Sequence, residues 1–271
     1  MKMVAASRLK KAKQMVESSR PYASKIEEMI VGLASNISRR DNLSEKFPLL
    51  TGSKKSKTHL LVVISSDRGL CGGLNSSTVK FTKNTINKLI AEGREIKIFC
   101  IGKKAYEQLK LHYSKEIIDS SFGLFKGAIT YDVALELSKK LIELFNQNQF
   151  DICEIIYSKF KSAISQEQVC NQMIPSSVKI DEGIDFKSPM NYEPNEEEIL
   201  LELLPKNLAI QIYNRLLENS ASEQGARMAA MEAASNNAGK MIKELTLIYN
   251  RTRQANITRE LIDIVSGANV T

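Results

Sequence analysis

A chain of 271 residues is long enough for one or two domains with a sizeable buried core. Tryptophan is absent, aromatics are few, and both ends are rich in Ala, Met, Leu, Lys, Arg and Glu, which favours long helices over an all-β sandwich. The formal charge of +7 points to an acidic or polyanionic partner, and the longest apolar run, Leu60–Ile64, is far short of the ~20 residues that cross a bilayer.

The first segment, residues 1–56, is read as a helix and linker. Its start is basic but broken, with no continuous apolar stretch to serve as a signal peptide. Ala5, Leu9, Ala12, Val16, Ser19, Ala23, Ile26, Ile30, Leu33 and Ile37 recur at alternating steps of four and three. That spacing predicts a helix whose stripe packs against a partner helix in a left-handed supercoil. Pro21 removes a backbone donor inside the run and predicts a bend, while the stripe keeps its phase across it.

Residues 57–194 alternate strand and helix patterns. Strands are expected at His59–Ser65, Glu95–Ile101, Phe150–Phe160 and Gln168–Ile174, with helices at Asn75–Ala91 and Tyr131–Asn146. Such alternation predicts a small Rossmann-like α/β sheet with covering helices. The acidic stretch from Asp181 to Glu198, with Pro189 and Pro194, reads as a mainly irregular connection.

The last segment, residues 195–271, carries one long helix, expected from about Pro205 to Ala268. At ~1.5 Å per residue it would extend on the order of 90 Å. A helix of that length needs a long antiparallel partner, and the N-terminal helix is the one available in the sequence. The expected fold is therefore α/β plus long helices: an antiparallel coiled coil of the terminal helices with the α/β domain inserted between them.

Chemical motifs are sparse. Ser65-Ser66-Asp67-Arg68-Gly69-Leu70-Cys71-Gly72-Gly73-Leu74-Asn75 is a glycine-rich turn between a strand and a helix, the context of a phosphate cradle. It matches neither G-x-G-x-x-G nor a G-K-[ST] loop, so a tight turn with Asn75 as helix cap is the better reading. The two histidines, His59 and His112, have no sequence neighbours that suggest a triad or a metal site. Cys71, Cys100, Cys153 and Cys170 are widely spaced and read as free thiols of a reducing compartment. No catalytic residue, cofactor or metal is expected. Glu196, Glu197 and Glu198 suit a helix start, where carboxylates favour the dipole. The basic face of Lys2, Arg8, Lys10, Lys11, Lys13, Arg20 and Lys25 has no interleaved aromatics before Tyr22, which suits a solvated helix face, or one turned to acidic protein loops, better than nucleic acid. Two other classes stay in play on motifs alone: a coiled-coil adaptor for nucleic acid or membrane, and a small nucleotide-binding enzyme.

Three separated stretches narrow the field. They are Met1-Lys2-Met3-Val4-Ala5-Ala6-Ser7 with Arg20-Pro21-Tyr22; the Ser66–Asn75 turn; and Ser222-Glu223-Gln224 with Ala226-Arg227-Met228, continuing through Tyr249-Asn250, Arg253-Gln254-Ala255, Ile257-Thr258, Glu260-Leu261 and Ile264–Ala268. In order and spacing these resemble the γ subunit of F-type ATP synthases, bacterial in type, along essentially the whole chain. The resemblance implies a non-catalytic central-stalk rotor that couples ion flow through a membrane ring to ATP synthesis at the β subunits by rotation. It implies three α and three β subunits, an ε subunit and a c-subunit ring as partners, no nucleic acid, and contact with membrane only through partners. With no transit peptide in view, it implies a peripheral location on the cytoplasmic face of the bacterial inner membrane. By motif, Met1, Lys2, Arg227, Arg253, Gln254, Thr258 and Glu260 match positions that face the catalytic β subunit. Tyr192 and Glu193 match the foot segment near the c ring or ε. Family members usually carry a basic, threonine-containing turn ahead of the methionine that matches Met1, and this sequence starts at that methionine.

Overall fold

The computed structural model describes residues 2–38, 46–52, 56–125, 127, 129–176 and 195–268. Two compact units are distinguished, Met1–Ala229 and Ala230–Thr271.

In the first unit, helix α1 spans Lys2–Ser38 and runs on through Pro21. All ten stripe residues from Ala5 to Ile37 are buried or half-buried. A short helix α2, Pro48–Thr51, follows. Strands β1 (Thr58–Ile64), β2 (Glu95–Ile101), β3 (Ile117–Ser121), β4 (Ile152–Phe160) and β5 (Gln166–Ile174) form one sheet in the order β3-β2-β1-β4-β5. The first four strands are parallel, with Leu61 opposite Ile98 on β2 and Glu154 on β4. The last is antiparallel, pairing Ile156 with Cys170. Helices α3 (Leu74–Ala91), α4 (Lys103–Leu109) and α5 (Tyr131–Asn146) supply the crossovers. The long helix α6 is Glu196–Ala268.

Alternation along the strands sends successive side chains to opposite faces. Leu61, Val63, Ile98, Cys100 and Ile156 meet Val79, Ile86 and Leu89 of α3 and Ala105 and Leu109 of α4. On the other face Leu60, Val62, Ile64, Phe99, Ile155 and Tyr157 meet α5, then Leu208, Ile212, Leu216 and Leu217 of α6 and Val16 of α1. A further cluster joins α1 to the start of α6 through Ile26, Ile30, Leu33, Ile37, Leu200 and Leu204. Burying each such aliphatic side chain stabilises the pair by about 1.5–3 kcal/mol. Polar contacts fix their direction: Asn36 donates to Glu196, and Ser19 donates to Asn214 at 2.6 Å. The numbers rise on one helix as they fall on the other, so α1 and the first part of α6 are antiparallel.

Three details differ from the sequence expectation. Helix α6 starts at Glu196, not near Pro205, and carries Pro205 inside it. Asn195 caps it, accepting from the Glu198 amide at 2.8 Å, and its side-chain amide donates to the Glu198 carboxylate at 2.8 Å. Burial of Leu200 and Leu204 against α1 offsets the proline. Asn75 is not the cap of α3: the helix begins at Leu74 after Gly73, and the Asn75 side chain turns back to Ser66 and Cys71. Strand β3 was not expected, being too short and too polar for a periodic signal. Residues 177–194, most of the expected irregular connection, lie outside the described residues.

Candidate functional site

The turn after β1 is organised inwards. The Ser66 amide donates to Asn75 Oδ1 at 3.2 Å, and the Asn75 amide group donates to Ser66 Oγ at 2.8 Å and to Cys71 Sγ at 3.2 Å. Asp67 accepts from the Lys103 amide at 3.2 Å and the Gly123 amide at 3.0 Å, tying together the loops that follow β1, β2 and β3. Gly102 has φ +95°, and a side chain there would overlap the Ser65 carbonyl. The Ser66 amide, the Asn75 amide group and the Lys103 and Gly123 amides are therefore spent on the protein's own side chains. Burial pushes the Cys71 thiol above its ordinary value.

In open α/β sheets, ligands bind beyond the carboxyl ends of the strands, where the winding reverses. Here that place, beside β1 and β4, is filled by α6. Strand β1 stops at Ile64 while β4 continues to Phe160, which leaves the backbone of Ser158 without a strand partner on the β1 side. A buried backbone group left unpaired is costly. Helix α6 supplies the partners: Asn219 Oδ1 accepts from the Ser158 amide at 3.3 Å, and Ser222 Oγ donates to its carbonyl at 2.7 Å. The Ser158 hydroxyl meets Thr78 of α3 at 3.2 Å. Ala226 packs on Cys71 and Leu74. A Cβ on Gly225 would sit 3.2 Å from the Phe160 ring and 3.4 Å from Ala163 Cα, so the helix approaches at van der Waals contact.

Arg227 closes this seam. It pairs with Glu223 at 2.5 Å and donates to the Gly69 carbonyl at 3.3 Å. Glu223 is buried, and burial raises its carboxyl above the ordinary value even though the guanidinium beside it acts the other way. The seam residues Asn219 and Glu223 carry no periodic apolar signal, and a run such as Glu218–Gln224 reads as a solvated face. Its one cue is that Ser222-Glu223-Gln224 falls within a motif stretch.

The other sequence-derived residues are not gathered in one place. Lys2 is exposed near the start of α1. Met1, Tyr192 and Glu193 lie outside the described residues. In the second unit every described side chain from Glu232 to Ser266 is exposed. Arg253, Gln254, Thr258 and Glu260 share a sector of the helix there with Ile257, Leu261, Ile264 and Val265, by the helical steps of three and four. Among the described residues no group of three or more His, Cys, Asp or Glu side chains is placed to hold a metal, and no helix is long and apolar enough to cross a membrane.

The fold thus defines a class in which a wound α/β sheet serves as the mount for paired terminal helices, its usual ligand place closed by one of them. The model of the family described as ATP synthase matches residues 1–270. The ATP synthase gamma chain of Rhodospirillum rubrum is 45% identical, covering 99% of this chain and 91% of its own. That of Pelagibacter ubique is 46% identical with the same coverage. Among solved structures, a chain from the central stalk and c-ring of Tetrahymena thermophila mitochondrial ATP synthase aligns with a TM-score of 0.66 at 27% identity, covering 87% of this chain and 97% of that one. A chain of the Euglena gracilis mitochondrial enzyme aligns with a TM-score of 0.62 over 98% of this chain and 95% of its own, and at 18% identity it speaks for the fold alone. The chain belongs to the ATP synthase γ-chain family.

Proposed function

We propose that the paired helices act as a torque-carrying shaft, with the sheet domain as its foot, in an ATP synthase that makes ATP at other subunits. As a γ chain the protein is the rotor of the central stalk and couples ion flow to ATP synthesis by rotation. The observation that carries the shaft reading is the exposed stretch Glu232–Ser266. Met241, Ile242, Leu245, Ile248, Leu261 and Val265 are all more than half exposed in it, and an apolar surface of that extent is one that another protein encloses. Its partners are three α and three β subunits around the helices, with ε and the c-subunit ring at the foot.

Lys2, Arg253, Gln254, Thr258 and Glu260, together with Met1, are the residues proposed to meet β loops, and Arg227 supports the same coupling. Tyr192 and Glu193 are proposed to face ε or the c ring. The subunit itself carries no catalysis: its candidate ligand crevice holds its own helix. It is placed as a peripheral subunit at the cytoplasmic face of a bacterial inner membrane, reached through partners. The division 1–56, 57–194 and 195–271 is proposed as helix, foot and returning helix.

The test is reconstitution with cognate α and β subunits and Mg-ATP, with a probe on the foot. Cys71 is buried, so the probe belongs on an introduced cysteine at exposed Glu92. Stepwise, one-directional rotation is expected. Assembly with hydrolysis but no rotation would overturn the shaft reading, as would salt-sensitive binding of the folded chain to DNA or anionic vesicles with no assembly at all.

A further inference from the structure

We infer that the seam formed by Asn219, Ser222, Glu223, Gly225 and Arg227 is a torsional lock that fixes the rotational setting of the shaft helix on the foot, and that these are positioning residues for coupling. The inference rests on the rotor reading and adds where within the subunit torque passes from sheet to helix.

Hydrophobic contacts alone would hold α6 against the sheet but would resist its turning poorly. Ridges of Leu and Ile can slip about the helix axis with little change in buried area, because the hydrophobic effect is non-directional. Hydrogen bonds differ: they weaken steeply once the donor angle is lost. The seam has its directional contacts on one short stretch of α6, and they reach two separate parts of the foot. Asn219 and Ser222 grip both backbone groups of Ser158 at the end of β4. Arg227 grips the Gly69 carbonyl in the turn after β1. Thr78 of α3 braces Ser158 from behind, at 3.2 Å between the hydroxyls.

Each grip resists a different motion. Ser158 is held through both its donor and its acceptor, so rotation of α6 in either sense stretches at least one bond. Gly225 sets the separation, since any larger residue meets Phe160 and Ala163. Arg227 lies about one helical turn beyond Glu223, which aims the guanidinium at Gly69. The bonds to Ser158 are buried, so water does not compete for them as it does at an exposed pair, whereas Arg227 is half-buried and its Gly69 partner is exposed. The same arrangement places Arg227 in the coupling path from inside the subunit.

The test uses the assembled α, β and γ complex with the probe at Glu92→Cys, stalled by withholding nucleotide. Its readout is the angular fluctuation of the foot about its resting position. Ser222→Ala combined with Asn219→Ala removes both grips on Ser158 and is expected to widen the angular variance about twofold, since the directional contacts that remain reach the foot at Gly69 alone. Val79→Ala, a core truncation on the opposite face of the sheet, destabilises the fold as well but should leave the variance at the wild-type value. In the full enzyme in sealed vesicles, ion pumping per ATP hydrolysed is expected to fall in the double variant and not in Val79→Ala. Wild-type variance in an assembled, rotating double variant overturns the lock. Equal widening in Val79→Ala also overturns it, by making the effect one of general softening. If the double variant does not assemble, Ser222→Ala alone carries the same measurement. Failure of the unmodified complex to rotate would instead strike the rotor reading, so the two are distinguished.

Discussion

Glu223 is a carboxyl placed where ionisation is unfavourable. Its burial raises the folded-state value above the ordinary one, and the pairing with Arg227 only partly opposes that. A carboxyl raised in this way gives its full contribution below the unfolded value, about 4.3. The contribution is lost as pH climbs through the raised folded value. Glu223→Gln removes this titration while keeping an acceptor for Arg227. Thermal midpoints measured from pH 4 to 8 should therefore fall less with rising pH in the variant than in the wild type, and parallel curves would contradict the assignment. Gln254 tests the opposite kind of position, exposed and without a directional role in the fold described here. Gln254→Leu is expected to leave assembly with α and β intact while lowering coupled ATP synthesis several-fold in vesicles; normal synthesis would remove it from the β-facing set. Neither position could be ranked from sequence by burial. Glu223 and Gln254 both look like polar residues on a helix, and only the free backbone of Ser158 explains why one such run is buried.

The long elements were more legible than the short ones. The four-three stripe of α1 is buried or half-buried at every position, because a heptad repeat states both the helix and the face it turns to its partner. Strands β1, β2 and β4 were legible as apolar runs for a related reason, being covered on both faces. Strand β3 offered only a few residues of pattern. The start of α6 was misplaced because a proline usually marks a boundary, whereas here the leucines on both sides of Pro205 keep packing on α1. Exposed Pro21 supports a direct test. Pro21→Ala restores a backbone donor in α1 and should raise unfolding stability by up to about 3 kcal/mol, read from denaturant midpoints at equal m-value. Ile30, fully buried between α1 and α6, should respond oppositely: Ile30→Ala is expected to cost about 2–5 kcal/mol. A loss under 1 kcal/mol would mean that the helix pair is looser than its packing indicates.

At the scale of the whole molecule the two units differ in how they meet solvent. Among its described residues the unit Met1–Ala229 buries four hydrophobic clusters around its sheet and helix pair. The unit Ala230–Thr271 exposes every described side chain from Glu232 to Ser266, including Lys240, Lys243, Arg251, Arg253 and Arg259. Local opening should be frequent where buried contacts are few. Brief trypsin treatment of the isolated chain is thus expected to cut first within 240–259 and to leave a resistant body ending near Lys240, as read by mass spectrometry. Addition of α and β subunits should suppress those cuts. Early cleavage inside β1–β4 instead would show that the sheet is the weaker part. The sequence disclosed the long C-terminal helix but not this division, because an apolar stripe looks the same whether its own chain or another chain covers it.

The closure of the sheet by α6 also bears on how the chain is made. Synthesis is vectorial, and Ser158 leaves the ribosome well before Asn219 and Ser222. Until they follow, the nascent sheet has an open end at β4 and, at Tyr157 and Val62, a face that α5 covers without α6. At the usual rate of about 5–20 residues per second, that interval lasts several seconds, long against the microsecond to millisecond collapse of its helices and hairpin. The foot is therefore finished only when the shaft returns to it, and a stalled or prematurely terminated chain lacking α6 is a natural client for chaperones.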